Sequence, residues 1–311
     1  MKGIGVINRL ARLGPAAGEG RVCPSAEKQE KRLALLMRQG FFGSDTRSAV
    51  IRRAVTADEL EAAYRLVHDC AVERGSMEPA PNGLRLRLWE ALPDTATFVA
   101  VVGGKVVGVQ SLVINSPELG LPSDAVFRDE IDVLRMGPWP TRSGSGRIVC
   151  EAANQAVAPA YRNSAVATEL MRCLFAHALM VGCDELVTTV SPGHSKFYEM
   201  LGFEAISTGC GSSAQAAAVF MRVNVADLVN RVSEADDDSD GATLFIKCRC
   251  LASNPYRGKV RQWEAAAQAL FADPQVLRRL FEASGLLSRC SQEEREAVCR
   301  SWGAGVFAAA S

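Results

Sequence analysis

The chain has 311 residues, of which 48% are hydrophobic, and its formal net charge is zero with a pI near 6.8. A chain of this length and apolar content can bury a large core, which excludes wholesale disorder. The neutral charge balance argues against a general nucleic-acid or anionic-membrane surface.

The N-terminal residues lack the apolar run of a signal peptide, and no window reaches transmembrane length without charges or turn residues. The ten cysteines are scattered, and no CxxC pair has a matching histidine or cysteine partner. We therefore expect a cytoplasmic protein with reduced thiols, many of them buried, and without a metal site.

The first 47 residues predict an arm and one amphipathic helix. Residues 1–24 have no clear period and are typical of a flexible arm. Residues 26–39 have an apolar stripe formed by Leu33, Leu36 and Met37. A helix with such a stripe packs on the main domain or forms one wall of a hydrophobic ligand pocket, and both readings stay open.

A strand, a helix and a hairpin are expected next. Residues 49–55 predict the strand, and Thr56 with Glu59 three positions later forms a capping box at the start of the helix. Two β-rich runs, residues 97–102 and 105–114, flank a Gly-Gly turn and predict the hairpin.

The middle of the chain predicts a long connection and then a strand that runs into a helix. Residues 115–146 are long for a loop in a compact domain, and acidic residues near 129–132 predict a brief helical turn. From Arg147 to Leu174, an apolar strand contains one carboxylate, Glu151, and a turn leads to Arg162 at the mouth of an amphipathic helix. The unpaired N–H groups and the positive dipole end of such a helix suit a phosphate or pyrophosphate.

The following elements complete a sheet. We expect a strand over residues 185–190, a helix over 194–201 and two strands over 202–206 and 217–223. This order of helices and strands argues for a mixed α/β sheet in three layers.

The tail from residue 225 has a different character. An acidic run at residues 236–240 is typical of a linker. Helical patterns follow near residues 260–271, 274–284 and 291–302, and Ser291 with Glu294 forms a capping box for the last. We divide the chain into an N-terminal arm and helix (1–47), a main domain (48–224) and a helical C-terminal extension (225–311).

Several motifs resemble the GNAT acyltransferase fold, above all the late segment Phe197-Tyr198-Glu199-Met200-Leu201-Gly202-Phe203. More narrowly, the main domain resembles the branch that contains the long-chain N-acyl amino acid synthases and the acyl-homoserine-lactone synthases. The further motifs behind this resemblance are Tyr64-Arg65-Leu66-Val67, Leu121-Pro122, Phe127, Leu134-Arg135, Glu151 and Val190-Ser191-Pro192-Gly193-His194. The resemblance implies a GNAT-like fold and the transfer of a fatty acyl group from acyl carrier protein to the amine of an amino acid.

Two departures from the family patterns bear on the donor and on the product. Acetyl-CoA-using members have a loop of the form Arg/Gln-x-x-Gly-x-Gly/Ala, whereas residues 162–167 contain no glycine. Side chains there hinder close approach to a CoA pyrophosphate, which fits a phosphopantetheine donor on a carrier protein but also a decayed site. The lactone synthases place an arginine three residues after the central glutamate, where this chain has Asn154, so the N-acyl amino acid synthases match better.

Glu151 is the candidate general base for the acceptor ammonium. It lies among apolar residues, where desolvation raises a carboxyl pKa toward the value that a base needs near pH 7. The alternative is a solvent-facing glutamate or one paired with an arginine such as Arg135. The resemblance adds Tyr198 as a general acid near the leaving thiol. His194 is a candidate for orienting substrate or sharing the proton, with core packing and helix capping as the respective alternatives.

The remaining candidates are binding groups. The oxyanion and the phosphopantetheine donor are assigned to Ala156, Val157, Ala158, Arg162, Asn163, Ser164, Ala165, Val166 and Ala167, where strands parting after residue 157 would expose N–H groups. Arg135 is the candidate for the amino-acid carboxylate. The acyl chain is assigned to Leu33, Leu36, Met37, Trp89, Phe127 and Leu134, with plain core as the alternative. Arg162, Arg172 and Lys196 are candidates for a basic face that docks an acidic carrier protein.

The sequence thus predicts an acyltransferase that binds no cofactor of its own and uses a 4′-phosphopantetheine-linked acyl thioester as donor. Its expected partners are acyl carrier protein and a small amino acid, its product would associate with membranes, and no nucleic acid is expected. Two alternatives stay open. One is an acetyl-CoA-dependent acetyltransferase, which the glycine-free loop disfavours, and the other is a non-catalytic lipid-binding or regulatory module.

Overall fold

The computed structural model describes residues 43–136, 146–210, 217–234, 254–271, 273–286 and 289–302, together with the isolated positions 31, 34, 246, 250 and 251. Apart from positions 31 and 34, the predicted helix over residues 26–39, with Leu33, Leu36 and Met37, lies outside the description, as does the acidic run at residues 236–240.

A seven-stranded sheet forms the centre of the fold. Its strands are β1 (Val50–Arg53), β2 (Ala96–Val102), β3 (Lys105–Ile114), β4 (Val149–Val157), β5 (Glu185–Val190), β6 (Glu204–Cys210) and β7 (Ala217–Asn224). They lie in the order β1-β2-β3-β4-β5-β7-β6, and each neighbouring pair is antiparallel except β4 with β5. The predicted mixed α/β sheet is confirmed.

Helices flank the sheet. They are α1 (Ala57–Glu73), α2 (Asp124–Met136), α3 (Val166–Met180), α4 (Pro192–Met200), α5 (Val225–Ser233), α6 (Val260–Phe271), α7 (Pro274–Ser284) and α8 (Gln292–Trp302). Short 3-10 turns lie at Leu88–Ala91 and Pro159–Tyr161.

Two of these helices differ from the expectation. The acidic residues near 129–132 predicted a brief turn, but α2 spans 13 residues with a kink at Phe127, where φ is −125° and ψ is 37°. Phe127, Ile131 and Leu134 are buried and hold the segment on the sheet. Helix α5 was not predicted, and the side chain of Asn224 caps it by accepting the N–H of Asp227 at 3.0 Å.

Both predicted capping signals are present at helix starts. Thr56 Oγ1 accepts the N–H of Glu59 at 3.2 Å at the start of α1, and the Glu59 carboxylate turns back to the N–H of Val55 at 3.0 Å. At α8, Ser291 and Glu294 each accept the other's N–H, at 3.2 and 2.8 Å. These bonds satisfy donors that a helix start leaves unpaired.

The two faces of the sheet have separate apolar clusters, which gives three layers. Phe98 and Cys150 face α3, whereas Val99 faces α1 and Val149 faces α2. Helix α3 lies very close to β3 at Gly108, where a Cβ would come within 2.7 Å of Val166. The missing side chain therefore sets the close approach of α3 to the centre of the sheet.

Of the cysteines that the structure describes, Cys70, Cys150, Cys173, Cys183 and Cys250 are buried. Within the described ranges, no helix is long and apolar enough to cross a membrane.

Candidate active site

Strands β4 and β5 are paired over three residues of each strand. Parallel pairing joins Val149–Glu151 to Glu185–Val187, and the strands then part although β4 continues to Val157. The prediction that they part after residue 157 was wrong, because backbone pairing ends at Glu151 and only the Thr188 hydroxyl, which donates to the carbonyl of Ala152 at 3.0 Å, is described as bridging the strands beyond it. A cleft therefore begins at the one carboxylate of the central strand.

A β-bulge in β4 explains this early parting. On β3, Val109 and Ser111 are separated by one residue, whereas their partners Ala156 and Ala153 on β4 are separated by two. Asn154 lies in the bulge with a left-handed φ of 57°. An extra residue bends a strand and re-aims its side chains, so β4 turns away from β5 at this point.

Glu151 lies buried at the closed end of the cleft, with 4% of its surface exposed. Its carboxylate accepts two hydrogen bonds from Ser123, which immediately precedes α2: one from the N–H at 2.9 Å and one from the hydroxyl at 2.8 Å. The hydroxyl of Thr189 lies 2.6 Å from that of Ser123. The Ser123 hydroxyl donates its hydrogen bond to the ionised Glu151, so the Thr189 hydroxyl must be the donor to Ser123. A chain of two hydroxyls therefore joins the exposed Thr189 to the buried carboxylate.

Burial raises the pKa of Glu151 to about 7, while hydrogen bonds from Ser123 and the positive charge of Arg87 limit the rise. The expected desolvation of this carboxyl is thus present. A carboxyl with this pKa exists in both protonation states near neutral pH, as a group that accepts and returns a proton must.

Two arginines that the sequence reasoning missed approach the cleft from the segment before the first 3-10 turn. Leu84, Leu86 and Leu88 alternate into the core, which places Arg85 and Arg87 together on the other side of the extended chain. The alternation Leu-Arg-Leu-Arg-Leu at residues 84–88 is the sequence signal that indicates them.

Arg87 is tied into a network beside the bulge. Its Nε donates to Glu90 at 2.9 Å, and its Nη2 lies 3.3 Å from the amide oxygen of Asn154. Asn154 in turn donates to Glu90 at 2.8 Å. The asparagine at the position where lactone synthases have an arginine thus anchors the bulge to Arg87 and Glu90.

Tyr198 lies buried next to the gap, whereas His194 lies on the surface. The Tyr198 hydroxyl donates to Gln155 at 3.1 Å, and burial raises the pKa of Tyr198 to about 12, so the hydroxyl keeps its proton at neutral pH. The Nδ1 of His194 lies 2.7 Å from the hydroxyl of Ser191 at the start of α4. This position fits the helix-capping alternative for His194, away from Glu151.

A small apolar cavity lies between the parted strands and α3. It is lined by Gln110, Ala152, Met171, Leu174, Phe175, Leu186, Tyr198 and Phe203. Because side chains alternate along a strand, Ala152 faces this cavity while Glu151 faces α2 on the other side of the sheet. At the gap between β4 and β5, an apolar cavity therefore lies on one face of the sheet and a buried carboxylate on the other.

Gln110, which lies on β3, contributes a polar side chain to the cavity lining. Its amide nitrogen donates to the carbonyl of Ala153 at 2.9 Å, and within the described ranges its side-chain oxygen is buried without a partner.

The predicted acyl-chain residues do not line this cavity. Phe127 and Leu134 are closed into a core cluster under α2, where Phe127 stacks on Phe220 with ring centroids 5.1 Å apart. Trp89 packs against the same cluster and donates its N–H to the carbonyl of Leu119 at 3.3 Å. The geometry favours plain core for these three residues, because all three pack in or against this buried cluster.

The predicted donor-binding stretch is partly engaged with the protein itself. The N–H of Ala158 donates to Val107 at 2.9 Å, that of Ala165 to Asp45 at 2.9 Å, and that of Val166 to the Ser164 hydroxyl at 3.4 Å. These N–H groups are therefore not free for a donor, contrary to the expectation.

The backbone N–H of Val157, in the same donor-binding stretch, is better placed to bind a donor. N–H groups of a strand in an antiparallel pair alternate in direction, so that of Val157 points toward the gap when that of Ala158 points to β3. The buried Ala156 packs under α1, while Asn163 is exposed with φ of 58° and Ala167 lies in the first turn of α3.

Arg162 lies at the mouth of the cleft, partly exposed. Its Nε donates to the carbonyl of Val157 at 3.1 Å, and its Nη1 pairs with Glu73 of α1 at 2.8 Å. Hydrogen bonding to Glu73 raises the pKa of Arg162, which therefore remains a cation.

Arg135 and Arg172 do not have the environment that their predicted roles need. The Nε of Arg135 donates to Asn115 at 3.0 Å and its Nη1 to Asp132 at 2.7 Å, while its Nη2 bonds Asn115 and Asp124, so every nitrogen is occupied. Arg172 is buried and bonds Glu169 at 2.6 Å, which removes it from a docking surface, whereas Lys196 is exposed. The geometry argues against Arg135 as the carboxylate ligand.

Comparison with known proteins places the main domain among acyltransferases. The family model for N-acyl amino acid synthase FeeM matches residues 62–224, more than half of the chain. The solved structure of FeeM, an N-acyl amino acid synthase from uncultured soil microbes, is 23% identical with a TM-score of 0.48, over 57% of this chain and 91% of that one. A search of curated proteins gives no match.

Two other similar structures have related descriptions. BjaI, a CoA-dependent acyl-homoserine lactone synthase with MTA, is 19% identical with a TM-score of 0.42, over 57% of this chain and 84% of that one. An N-acetyltransferase from Staphylococcus aureus Mu50 is 17% identical with a TM-score of 0.40, over 57% and 98%. The range matched by the family model contains Arg85, Ser123, Glu151 and Tyr198.

Proposed function

The chain belongs to the N-acyl amino acid synthase FeeM family, and from this premise we propose that it transfers a long-chain fatty acyl group from acyl carrier protein to the amine of an amino acid. It has the GNAT-like α/β fold predicted for it and is an acyltransferase. The observation that best supports the proposal is Glu151, a buried carboxyl with a pKa of about 7 at the point where β4 leaves β5.

The proposed reaction proceeds by direct attack. Glu151 accepts a proton from the acceptor ammonium, and the neutral amine attacks the thioester carbonyl carbon through the gap between the strands. A C–N bond forms while the carbonyl oxygen becomes an oxyanion, for which the N–H of Val157 is the proposed donor. Glu151 passes its first proton to solvent and then takes the second proton from the amine nitrogen. As the C–S bond breaks, the leaving thiolate takes a proton from Tyr198, and the resulting phenolate regains a proton from solvent.

The positions of the two proton-transfer groups support this scheme. Glu151 lies on the α2 side of the sheet and Tyr198 lines the cavity on the α3 side. The acceptor and the leaving thiol would therefore approach the carbonyl from opposite faces, and each would meet the group that its own proton transfer requires.

The donor side of the proposal rests on the glycine-free loop and on charge. Residues 162–167 have side chains where a CoA pyrophosphate needs bare backbone, so a single phosphate is the easier fit. Arg162 at the mouth of the cleft is the proposed ligand for the phosphopantetheine phosphate, and with the exposed Lys196 it would meet an acidic carrier protein. The apolar cavity beside α3 is the proposed start of the acyl-chain slot.

The test is expression of the full chain in a bacterial host, followed by mass spectrometry of the extracted lipids. We expect long-chain N-acyl amino acids from the native chain and none from Glu151→Gln at a matched protein level. Acetylated amines alone would indicate an acetyltransferase, and retained fatty acid without product in both strains would indicate a binding module.

A second measurement separates the two donors. Purified protein is given the same acyl chain on acyl carrier protein and on CoA, and release of thiol is followed with time. A higher kcat/KM for the carrier-bound chain supports the proposal, whereas a preference for acyl-CoA contradicts it.

A further inference from the structure

The guanidinium of Arg85 forms no ion pair with a carboxylate in the part of the chain that the structure describes. Within the same ranges the Arg85 side chain makes no hydrogen bond either, although its backbone N–H donates to Tyr64 at 3.2 Å. Burial, with the like charge of Arg87 beside it, lowers the pKa of Arg85 to about 10. Arg85 is half-buried, and a partly desolvated cation is stabilised when an anion joins it.

The surroundings of Arg85 define where such an anion would lie. Arg85 projects on the same side of the extended segment as Arg87, and Arg87 is fixed to Asn154, three residues beyond Glu151. The charges of Arg87 and Arg74 lower the pKa of Arg85, whereas those of Glu90 and Glu151 raise it, and Glu90 has a larger effect than Arg74. Arg85 therefore lies within electrostatic reach of the proposed base.

Neighbouring residues leave the anion-binding role to Arg85. Glu90 is already bonded to Arg87 and Asn154, so it does not serve Arg85. Arg135 has all of its nitrogens occupied, and Arg162 lies at the cleft mouth, paired with Glu73.

We propose that Arg85 binds the carboxylate of the acceptor amino acid and so holds its amine at Glu151. The inference rests on the proposed function, because it assumes an amino-acid acceptor. In an α-amino acid, one carbon separates the carboxylate from the amine, so the group that binds the carboxylate must lie close to the base that receives the amine proton. Arg85 lies on the same side of its segment as Arg87, which contacts Asn154 close to the base, and its planar fork matches a carboxylate.

The experiment compares two acceptors that differ only in this carboxylate. The amino acid that the native protein acylates best is measured against the primary amine with the same side chain and no carboxylate. Variants are Arg85→Gln, the conservative Arg85→Lys, and Arg128→Gln as a control on the exposed surface of α2. Near-ultraviolet circular dichroism and thermal unfolding check that each variant folds.

Arg85→Gln should lower kcat/KM for the amino acid roughly 10- to 100-fold, the effect of losing a hydrogen bond to a charged group. It should leave kcat/KM for the amine unchanged, so the preference for the amino acid disappears. Arg85→Lys should restore part of the preference, and Arg128→Gln should change neither acceptor.

Two results would overturn the assignment: an equal loss for both acceptors, or an intact preference in Arg85→Gln. A native protein that acylates no amino acid would instead refute the proposed function itself, and that failure is visible before any variant is made.

Discussion

Replacing Glu151 by glutamine tests the proposed base with little change in shape. The amide has nearly the same volume, so Ser123 and the bulge should stay in place, but it cannot accept a proton from the acceptor ammonium. We expect kcat/KM to fall by about 10²- to 10⁴-fold, the usual contribution of a positioned general base. The assay is thiol release from a long-chain acyl thioester at saturating donor.

The pH profile separates a base from a residue that only positions substrate. The acceptor amine ionises as well, but that effect is common to both proteins and cancels in the ratio of native to variant kcat/KM. Because the pKa of Glu151 is raised to about 7, the ratio should rise through that pH as the carboxyl loses its proton. A ratio that stays constant between pH 5 and 9, values chosen for the assay at roughly two pH units on either side, would show that ionisation of Glu151 is not used.

The same raised pKa predicts that stability falls with increasing pH, whereas the activity ratio rises. The unfolded chain releases the Glu151 proton near 4.5 and the folded chain near 7, so between these values the unfolded state holds fewer protons. The free energy of unfolding therefore falls as pH rises through this window, by about 3 kcal/mol in all, and stays low above it. Glutamine has no such dependence.

Urea unfolding of both proteins at pH 4 and pH 8, chosen as roughly the two ends of that window, measures the effect. The glutamine variant should gain about 3 kcal/mol relative to the native chain between those two values, whatever constant cost its altered contact with Ser123 adds. A relative stability that does not change with pH would mean that the burial of Glu151 does not raise its pKa, and the argument for a base would lose its physical ground.

Four further substitutions probe Ser123 beside this carboxyl, the ion pair at the cleft mouth, and Arg135. Ser123→Ala removes the hydroxyl that favours ionised Glu151, so the rise of the pH profile should move to higher pH, and an unmoved profile would contradict that contact. Glu73→Gln releases Arg162 and should lower KM for the carrier-bound donor, whereas Arg162→Met should raise it; equal effects on both would argue against a phosphate site. Arg135→Met should destabilise the fold by about 3 kcal/mol with unchanged acceptor preference, and a changed preference would restore its predicted role.

Much of the fold could be predicted because local signals agree with the final packing. The strand of Glu151, the hairpin and the later helices have the period that their burial requires, and two capping boxes set helix starts. Glu151 itself could be singled out, since a carboxylate in an apolar strand is rare without a function.

The geometry of the site depends on features that no local pattern reveals. The bulge at Asn154 arises from the pairing of β3 with β4, so its position and the parting of the strands at Glu151 are properties of the sheet. Ser123 and Thr189 meet Glu151 from segments far away in the chain. Arg135 looked free in the sequence because its partners Asp124 and Asn115 only become neighbours when α2 folds onto the sheet.

The described part of the C-terminal extension is packed against the same core as the catalytic candidates. Arg53 on β1 has only 1% of its surface exposed, and its ion-pair partner is Glu264 of α6. Without α6, this cation would lack its counter-charge beneath an apolar layer, a state that typically costs several kcal/mol. Phe281 of α7 lies in the cluster under α1, the helix that also supplies Glu73 to Arg162. The extension therefore supports the helix that forms one side of the cleft mouth, and the site cannot be understood from the family-matched range alone.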